Sequence, residues 1–117
     1  MTRVVEVHMS RGTWTLSNDD AMDLLARISR GSGSHVSAAE DKLLRGINDG
    51  LEVKWTLKEK RAVHETLWRW RANNPQDSLS PGPSQLWVEL ARELKLPTTE
   101  SADFRGEART IRARIVP

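Results

Sequence analysis

The stretch from Thr56 to Arg71, TLKEKRAVHETLWRWR, decides the fold because it is the best-marked helix in the chain. Thr56 followed three residues later by Glu59 is the pattern of a capping box, which predicts that the helix begins here. One apolar stripe of this helix comprises Val63, Leu67 and Trp70. Because residues advance by about 100° each, these three side chains fall within an arc of about 60°. The stripe predicts that this side of the helix packs on a hydrophobic core.

Trp68 cannot belong to the same stripe, because two residues along a helix it faces nearly away from Trp70. Its angular position groups it instead with three basic side chains, and a fourth is its neighbour in sequence. An exposed tryptophan framed by arginine is the composition that dominates binding hot spots. Unless Trp55 or the loop after the helix covers Trp68, we expect a partner-binding surface at this position. Its predicted members are Arg61, His64, Trp68, Arg69 and Arg71.

Such a surface could bind a protein or a nucleic acid. Tryptophan also stacks on unpaired bases while arginine contacts phosphates. Four arginines near the C-terminus add to the nucleic-acid alternative: Arg105, Arg109, Arg112 and Arg114. However, the formal net charge is only +2, and acidic residues in the first and third helices interrupt any continuous positive stripe. The balance favours a protein partner.

The composition is that of one cytoplasmic domain. A chain of 117 residues supports a single hydrophobic core, and no apolar run approaches the ~18 residues of a membrane span. The start, Met1-Thr2-Arg3, lacks the apolar segment of a secretory signal. The absence of cysteine excludes disulfides and thiolate catalysis. Five Trp and no Tyr match GC-rich codons, so we expect a bacterial or phage source.

The N-terminal residues predict a β-hairpin followed by two helices. Val4 to Met9 is rich in β-branched residues, Ser10 to Gly12 supplies a turn, and Thr13 to Leu16 alternates polar and apolar residues. The first helix should start at a cap and run to about residue 30, and the second should carry Leu43, Leu44 and Ile47. Both predicted starts show Ser followed by an acid three residues later, namely Ser17 with Asp20 and Ser37 with Glu40. Gly50 is expected to close the second helix.

The second half of the chain predicts a strap, two helices and a final strand. Leu51–Trp55 alternates and should lie as a short strand or strap over the core. The third helix should end before Pro75, and Asn73–Ser84 holds three prolines and should be a loop. In the fourth helix, the apolar residues Leu86, Trp87, Leu90 and Leu94 are expected opposite the charged residues Glu89, Arg92, Glu93 and Lys95.

Arg109–Val116 alternates Ile and Ala with Arg, which predicts a half-buried strand. Paired with the N-terminal hairpin, it would complete a small antiparallel sheet covered by about four amphipathic helices. The sequence therefore predicts a single α+β domain over residues 1–117. Helix-turn-helix binding to DNA is not supported, because no two helices are joined by a turn of three or four residues.

The candidate chemical motifs each have a simpler structural explanation. The acids Asp19, Asp20 and Asp23 could hold Mg²⁺, but the helix dipole favours acids in a first turn. Gly31–Ser34 lacks the preceding strand and the lysine of a phosphate loop, so a flexible connection is predicted. The histidines, His8, His35 and His64, lie on different elements without the spacing of metal ligands. We expect no enzyme, no metal site and no cofactor.

The predicted function is therefore that of a small protein-interaction module. We expect an accessory or inhibitory subunit that docks on a larger bacterial or phage complex through the helix-three surface, and no association with membranes. A nucleic-acid-binding regulator is the alternative, and a small enzyme or metal protein is a third class.

Overall fold

The computed structural model describes residues 4–96, and it shows an α+β fold in which a hairpin is packed with four helices. The elements in chain order are β1 (Val4–Met9), β2 (Gly12–Ser17), α1 (Asn18–Ile28), α2 (Ser34–Asp49), α3 (Leu57–Asn73) and α4 (Pro81–Glu93). The predicted C-terminal strand, Arg109–Val116, lies outside the described residues. None of the four described helices has the length and apolarity that a bilayer-spanning segment needs.

The hairpin forms as the alternating sequence predicts. β1 and β2 pair antiparallel, from Val4 opposite Ser17 to Met9 opposite Gly12. The inward side chains of β1 and one from β2 are buried in the core: Val5, Val7, Met9 and Leu16. Because alternate side chains point to opposite faces, one face of the hairpin covers the helices and the other is exposed.

The segment before α3 is a strap rather than a full strand. The amide of Val53 donates to the carbonyl of Glu6 and the amide of His8 donates to the carbonyl of Val53, both at 2.8 Å. This single parallel bridge runs along the outer edge of β1. Val53 and Trp55 are buried and Lys54 between them is exposed, which confirms the predicted alternation over these three residues. Leu51, the first apolar residue of the predicted pattern, is 55% exposed and does not follow it.

Local capping explains why α1 and α3 begin where they do. The Ser17 hydroxyl accepts from the amide of Asp20 at 3.1 Å. At α3 the box is reciprocal, since the Thr56 hydroxyl accepts from the amide of Glu59 at 3.1 Å and the Glu59 carboxylate accepts from the amide of Thr56 at 2.9 Å. Both predicted starts are confirmed. Gly50, with a φ of 71°, ends α2 in the left-handed conformation as predicted.

The predicted start of α2 at Ser37 and Glu40 is wrong. The helix begins at Ser34, with Gly33 as its N-cap, and the amide of Ser37 already donates to the carbonyl of Gly33 at 3.0 Å. The extra turn brings Val36 into the core. The burial of this side chain favours the longer helix over a capping box one turn later.

The predicted loop Asn73–Ser84 extends too far, because α4 begins at Pro81. Proline is tolerated in the first turn of a helix, where its missing amide has no intrahelical partner. The first amide that donates within the helix is that of Ser84, to the carbonyl of Ser80 at 3.0 Å. Pro81 and Pro83, which were expected in the loop, therefore lie in the first turn of α4.

α1 packs against each of the other three helices. The largest fully buried helical side chains are Leu24, Ile28, Leu43, Leu67, Leu86, Trp87 and Leu90. These confirm most of the predicted apolar stripes, whereas Leu44 is 40% exposed. The core therefore lies between the inner face of the hairpin and the facing sides of all four helices.

Of two acids of α4 that were predicted to face solvent, Glu89 is buried and Glu93 is half-buried. The Glu93 carboxylate accepts from the amide of Ser10 at 2.9 Å and is ion-paired with Lys60. Glu89 lies 3.8 Å from the Arg11 guanidinium and only 5% of it is exposed. The hairpin turn packs on the end of α4 and supplies these partners, a contact between distant residues that helical periodicity does not contain.

Candidate functional site

The two tryptophans of α3 differ sharply in exposure. Trp70 is 3% exposed and belongs to the core, whereas Trp68, two residues earlier, is 36% exposed. This confirms the expectation drawn from their angular positions on the helix. An exposed indole on a helix that is anchored by its neighbour is the starting point of the candidate site.

Trp70 is held by contacts from α1 and from the C-terminal end of α3. The guanidinium carbons of Arg27 and Arg71 lie 5.0 and 4.9 Å from the centroid of its ring, which are distances typical of cation–π contacts. The Asn74 amide group donates to the Trp70 carbonyl at 2.9 Å. These contacts fix the rotation of the helix, so Trp68 is directed away from the core.

The loop after α3 does not cover Trp68. It bends towards α1, where the Ser80 hydroxyl donates to Asp23 at 2.7 Å. The Arg71 guanidinium donates to the carbonyl of Asp77 at 2.6 Å and so ties the middle of the loop to the side of Trp70. Trp55 is also unable to cover Trp68, since its indole is buried and donates to the carbonyl of Ala39 at 3.0 Å.

The structure separates His64 from the exposed surface. Its ring meets the edge of Trp87 with centroids 6.0 Å apart, so it packs on α4. Burial lowers the pKa of His64 to about 4, and the charge of Glu65 opposes this only in part. The imidazole is therefore neutral at pH 7 and contributes packing rather than charge.

Arg71 is likewise committed to the fold. Besides Asp77 it donates to the carbonyl of Pro75 at 3.1 Å, and burial lowers its pKa while the charge of Asp77 opposes the shift. Arg71 and His64 lie at the boundary of the helix face that carries Trp68, where the packing of α4 and the loop decides their exposure. The position of Arg71 and His64 in the sequence does not by itself predict that they are partly buried.

The three remaining predicted residues are exposed together on α3. Arg61 lies about two turns before Trp68 and Arg69 is the residue after it, all three are exposed, and Arg69 is paired with Glu65 at 2.9 Å. The sequence interpretation missed Leu57, which is 56% exposed. It shares the angular position of Trp68, about three turns and 16 Å away, and this angle was the signal that could have found it. We call Leu57, Arg61, Trp68 and Arg69 the Trp68 surface.

The other motifs are not assembled into a chemical site in the described part of the chain. Within residues 4–96, no group of three His, Asp or Glu residues is placed to hold a metal ion. Asp23 accepts from Ser80 and pairs with Arg27 at 3.2 Å. His8 lies 3.7 Å from Glu52 on the exposed face of the hairpin, remote in sequence and structure from His64. The arginines of the nucleic-acid alternative, Arg105, Arg109, Arg112 and Arg114, lie outside the described residues.

Comparison with known proteins gives no information on function, so a functional proposal must rest on the Trp68 surface. No protein-family model, no curated protein and no solved structure matches this chain.

Proposed function

We propose that this protein is a non-catalytic interaction module that docks on a larger protein through the Trp68 surface. The observation that carries the proposal is the exposure of Trp68 on a helix whose orientation is fixed by the buried Trp70. A large, rigid aromatic ring offers contact area at a small cost in rotamer entropy. Because α3 is already ordered, a partner need not order it on binding.

The composition of the Trp68 surface indicates the chemistry of the partner. Leu57 and Trp68 supply two apolar contacts along one line of the helix, and Arg61 and Arg69 lie beside them. A complementary surface would have an apolar pocket for the indole and acidic residues at its rim. Such a rim improves the rate and specificity of association, whereas the buried ring supplies most of the affinity.

A protein partner is favoured over a nucleic acid by the charges around Trp68. Arg69 is paired with Glu65 across one helical turn, which leaves Arg61 as the one arginine of the Trp68 surface that has no ion pair within residues 4–96. Binding to nucleic acid rests on several phosphate contacts. Two arginines, one of them paired, supply little of that electrostatic term. We therefore keep a nucleic-acid-binding regulator as the rival that experiment must separate.

We further propose that the module acts in the cytoplasm as an accessory or inhibitory subunit. A chain without cysteine agrees with a reducing compartment. A domain of this size presents one helical face of the dimension used by helix-in-groove and hot-spot interfaces, which suits docking on a larger assembly.

The proposal is tested by affinity capture from the source cells with three matched baits: the native chain, Trp68→Ala and Leu44→Ala. Leu44 is the control because it is an exposed apolar residue of α2, 40% accessible, and lies outside the Trp68 surface. A partner recovered by the native and Leu44→Ala baits and lost with Trp68→Ala supports the proposal. Equal recovery by all three baits contradicts it.

A further inference from the structure

A cavity of about 300 Å³ lies between the turn that joins α1 to α2 and the second half of α3. Arg30, Gly31 and Ser32 form one wall, and Arg69 and Trp70 contribute to the other. Only Arg69 also belongs to the Trp68 surface. A cavity of this volume is at the lower end of the range that accommodates small ligands.

The charged residues that line the cavity are Arg30, Arg69 and Glu65, so basic side chains exceed acidic ones by one. Arg30 is exposed and makes no ion pair within residues 4–96. Arg69 lies on the opposite wall and pairs with Glu65, but a guanidinium has five N–H donors and one carboxylate does not occupy them all. Two guanidinium groups that approach from opposite walls suit the oxygens of a carboxylate or a phosphate.

The backbone at the same wall also favours an anion. α2 begins at Gly33 without a side-chain cap and without an acid in its first turn, so its first amides and its positive dipole end are not compensated by a side chain. Ser32 and Val36, on either side of this start, both line the cavity. The segment predicted as a flexible connection is thus packed beside α3.

Gly31 explains how the two walls come so close. A Cβ atom at this position would lie 2.7 Å from the Thr66 hydroxyl oxygen and 2.8 Å from its methyl carbon. Only glycine allows this approach without a shift of the backbone or of Thr66. The absence of a side chain at Gly31 therefore sets the width of the cavity.

Trp70 supplies an independent indication of a ligand. It is 3% exposed and lines the cavity, and its indole N–H has no hydrogen-bond acceptor among the described residues. A buried donor without an acceptor is costly, and most such donors in folded proteins are paired. Because the indole nitrogen is itself buried, an anionic oxygen in the cavity becomes its acceptor only if the ring reorients on binding.

We propose that this cavity binds an oxyanion, a phosphate or carboxylate group carried by a small ligand or by an acidic side chain. Arg30 is the principal electrostatic contact, Arg69 the second, and the turn amides and the Trp70 indole complete the donor set. The site does not depend on docking at Trp68, so either inference can fail without the other.

The test is a titration of the full chain followed by ¹H–¹⁵N NMR spectroscopy. The probes are inorganic phosphate, acetate and the neutral-ended peptide acetyl-Ala-Glu-Ala-amide, each compared with sodium chloride at the same ionic strength. We expect saturable shifts of the Trp70 indole N–H and of the Gly31 and Ser32 amides. Loss of a charge-assisted contact in Arg30→Gln should weaken binding at least about tenfold, whereas Arg45→Gln, a distant α2 arginine, should leave the affinity unchanged.

The relative affinities of the probes identify the source of the oxyanion. Preference for phosphate indicates a free phosphorylated ligand, and preference for the peptide over acetate indicates an acidic side chain. Saturation that persists unchanged in both Arg30→Gln and Arg69→Gln overturns the proposal, as does the absence of saturation with every probe. Since Arg30 is an exposed turn residue, its variant should retain the native spectrum elsewhere, and Trp68→Ala should bind the probes like the native chain.

Discussion

Lys60 of α3 and Glu93 of α4 form an ion pair in which both side chains are more than nine-tenths buried. The same carboxylate accepts from the amide of Ser10 in the hairpin turn. Burial raises the pKa of Glu93, but the hydrogen bonds from Lys60 and Ser10 lower it by more, and the net shift is downward. Three elements are thus joined by one ionised carboxylate.

Removal of one partner should destabilise the protein because it leaves the other charge buried. We predict that Lys60→Met lowers the free energy of unfolding by about 3–5 kcal/mol, and that the double variant Lys60→Met with Glu93→Leu recovers most of the loss. Urea melts measure both. Arg45→Ala is the control, since it breaks an exposed pair with Asp41 and should cost about 0.5 kcal/mol or less. A loss in Lys60→Met that is no larger than the loss in Arg45→Ala would contradict the buried pair.

The two tryptophans of α3 should differ in their contribution to stability. Trp70→Ala creates a cavity in the core and removes the ring between Arg27 and Arg71, so we expect a loss of about 3–5 kcal/mol. Trp68→Ala removes an exposed ring and should cost about 0.5 kcal/mol or less. Denaturant melts of the two variants decide the matter, and equal losses would show that Trp68 is part of the core.

His64 should make stability depend on pH. The pKa of His64 is about 4 in the folded protein, compared with 6.5 for a histidine that is not buried. The unfolded chain therefore takes up the proton first as the pH falls. Stability is complete above pH 6.5 and is lost progressively down to about pH 4, with a decrease of about 2 kcal/mol between pH 7 and 5. Glu59 and Glu93, whose pKa values are lowered below 4.5, lose their contributions at more acidic pH. Urea melts of His64→Gln should show a flat profile from pH 7 to 5, and an unchanged slope would exclude His64 as the cause.

The sequence predicts the parts of this fold that local chemistry determines. The caps at Ser17 and Thr56, the left-handed Gly50 and the alternation around Val53 depend on neighbouring residues, and each is found in the structure. Ser37 was misinterpreted because a glycine N-cap has no side chain to recognise, and burial of Val36 extends the helix by a turn.

The misplaced site residues depend on long-range packing. His64 and Arg71 lie near the edge of the helix face of Trp68, and only the position of α4 and of the loop after α3 determines which side of the boundary they occupy. Glu93 was placed in solvent because its partners, Ser10 and Lys60, are distant in sequence. The exposure of Trp68 itself was predictable because Trp70, on the opposite side of one rigid helix, must be buried.

Nucleic-acid binding should be weak. At physiological salt we expect no affinity for random-sequence DNA or RNA tighter than roughly 10⁻⁶ M. The measurement is fluorescence anisotropy of labelled single strands and duplexes over a range of salt concentrations. Sub-micromolar binding with a steep slope, near −0.7 per phosphate contact on single strands, that is lost in the Arg112→Ala and Arg114→Ala double variant would establish the nucleic-acid alternative.

The most direct test of the Trp68 surface is the Kd of the captured partner for the native chain and for Trp68→Ala. Calorimetry should show at least about a tenfold loss of affinity for Trp68→Ala, as expected of a hot-spot tryptophan, with a weak dependence on salt. Leu44→Ala should bind like the native chain. A Trp68→Ala protein that remains folded and binds with native affinity would contradict the account.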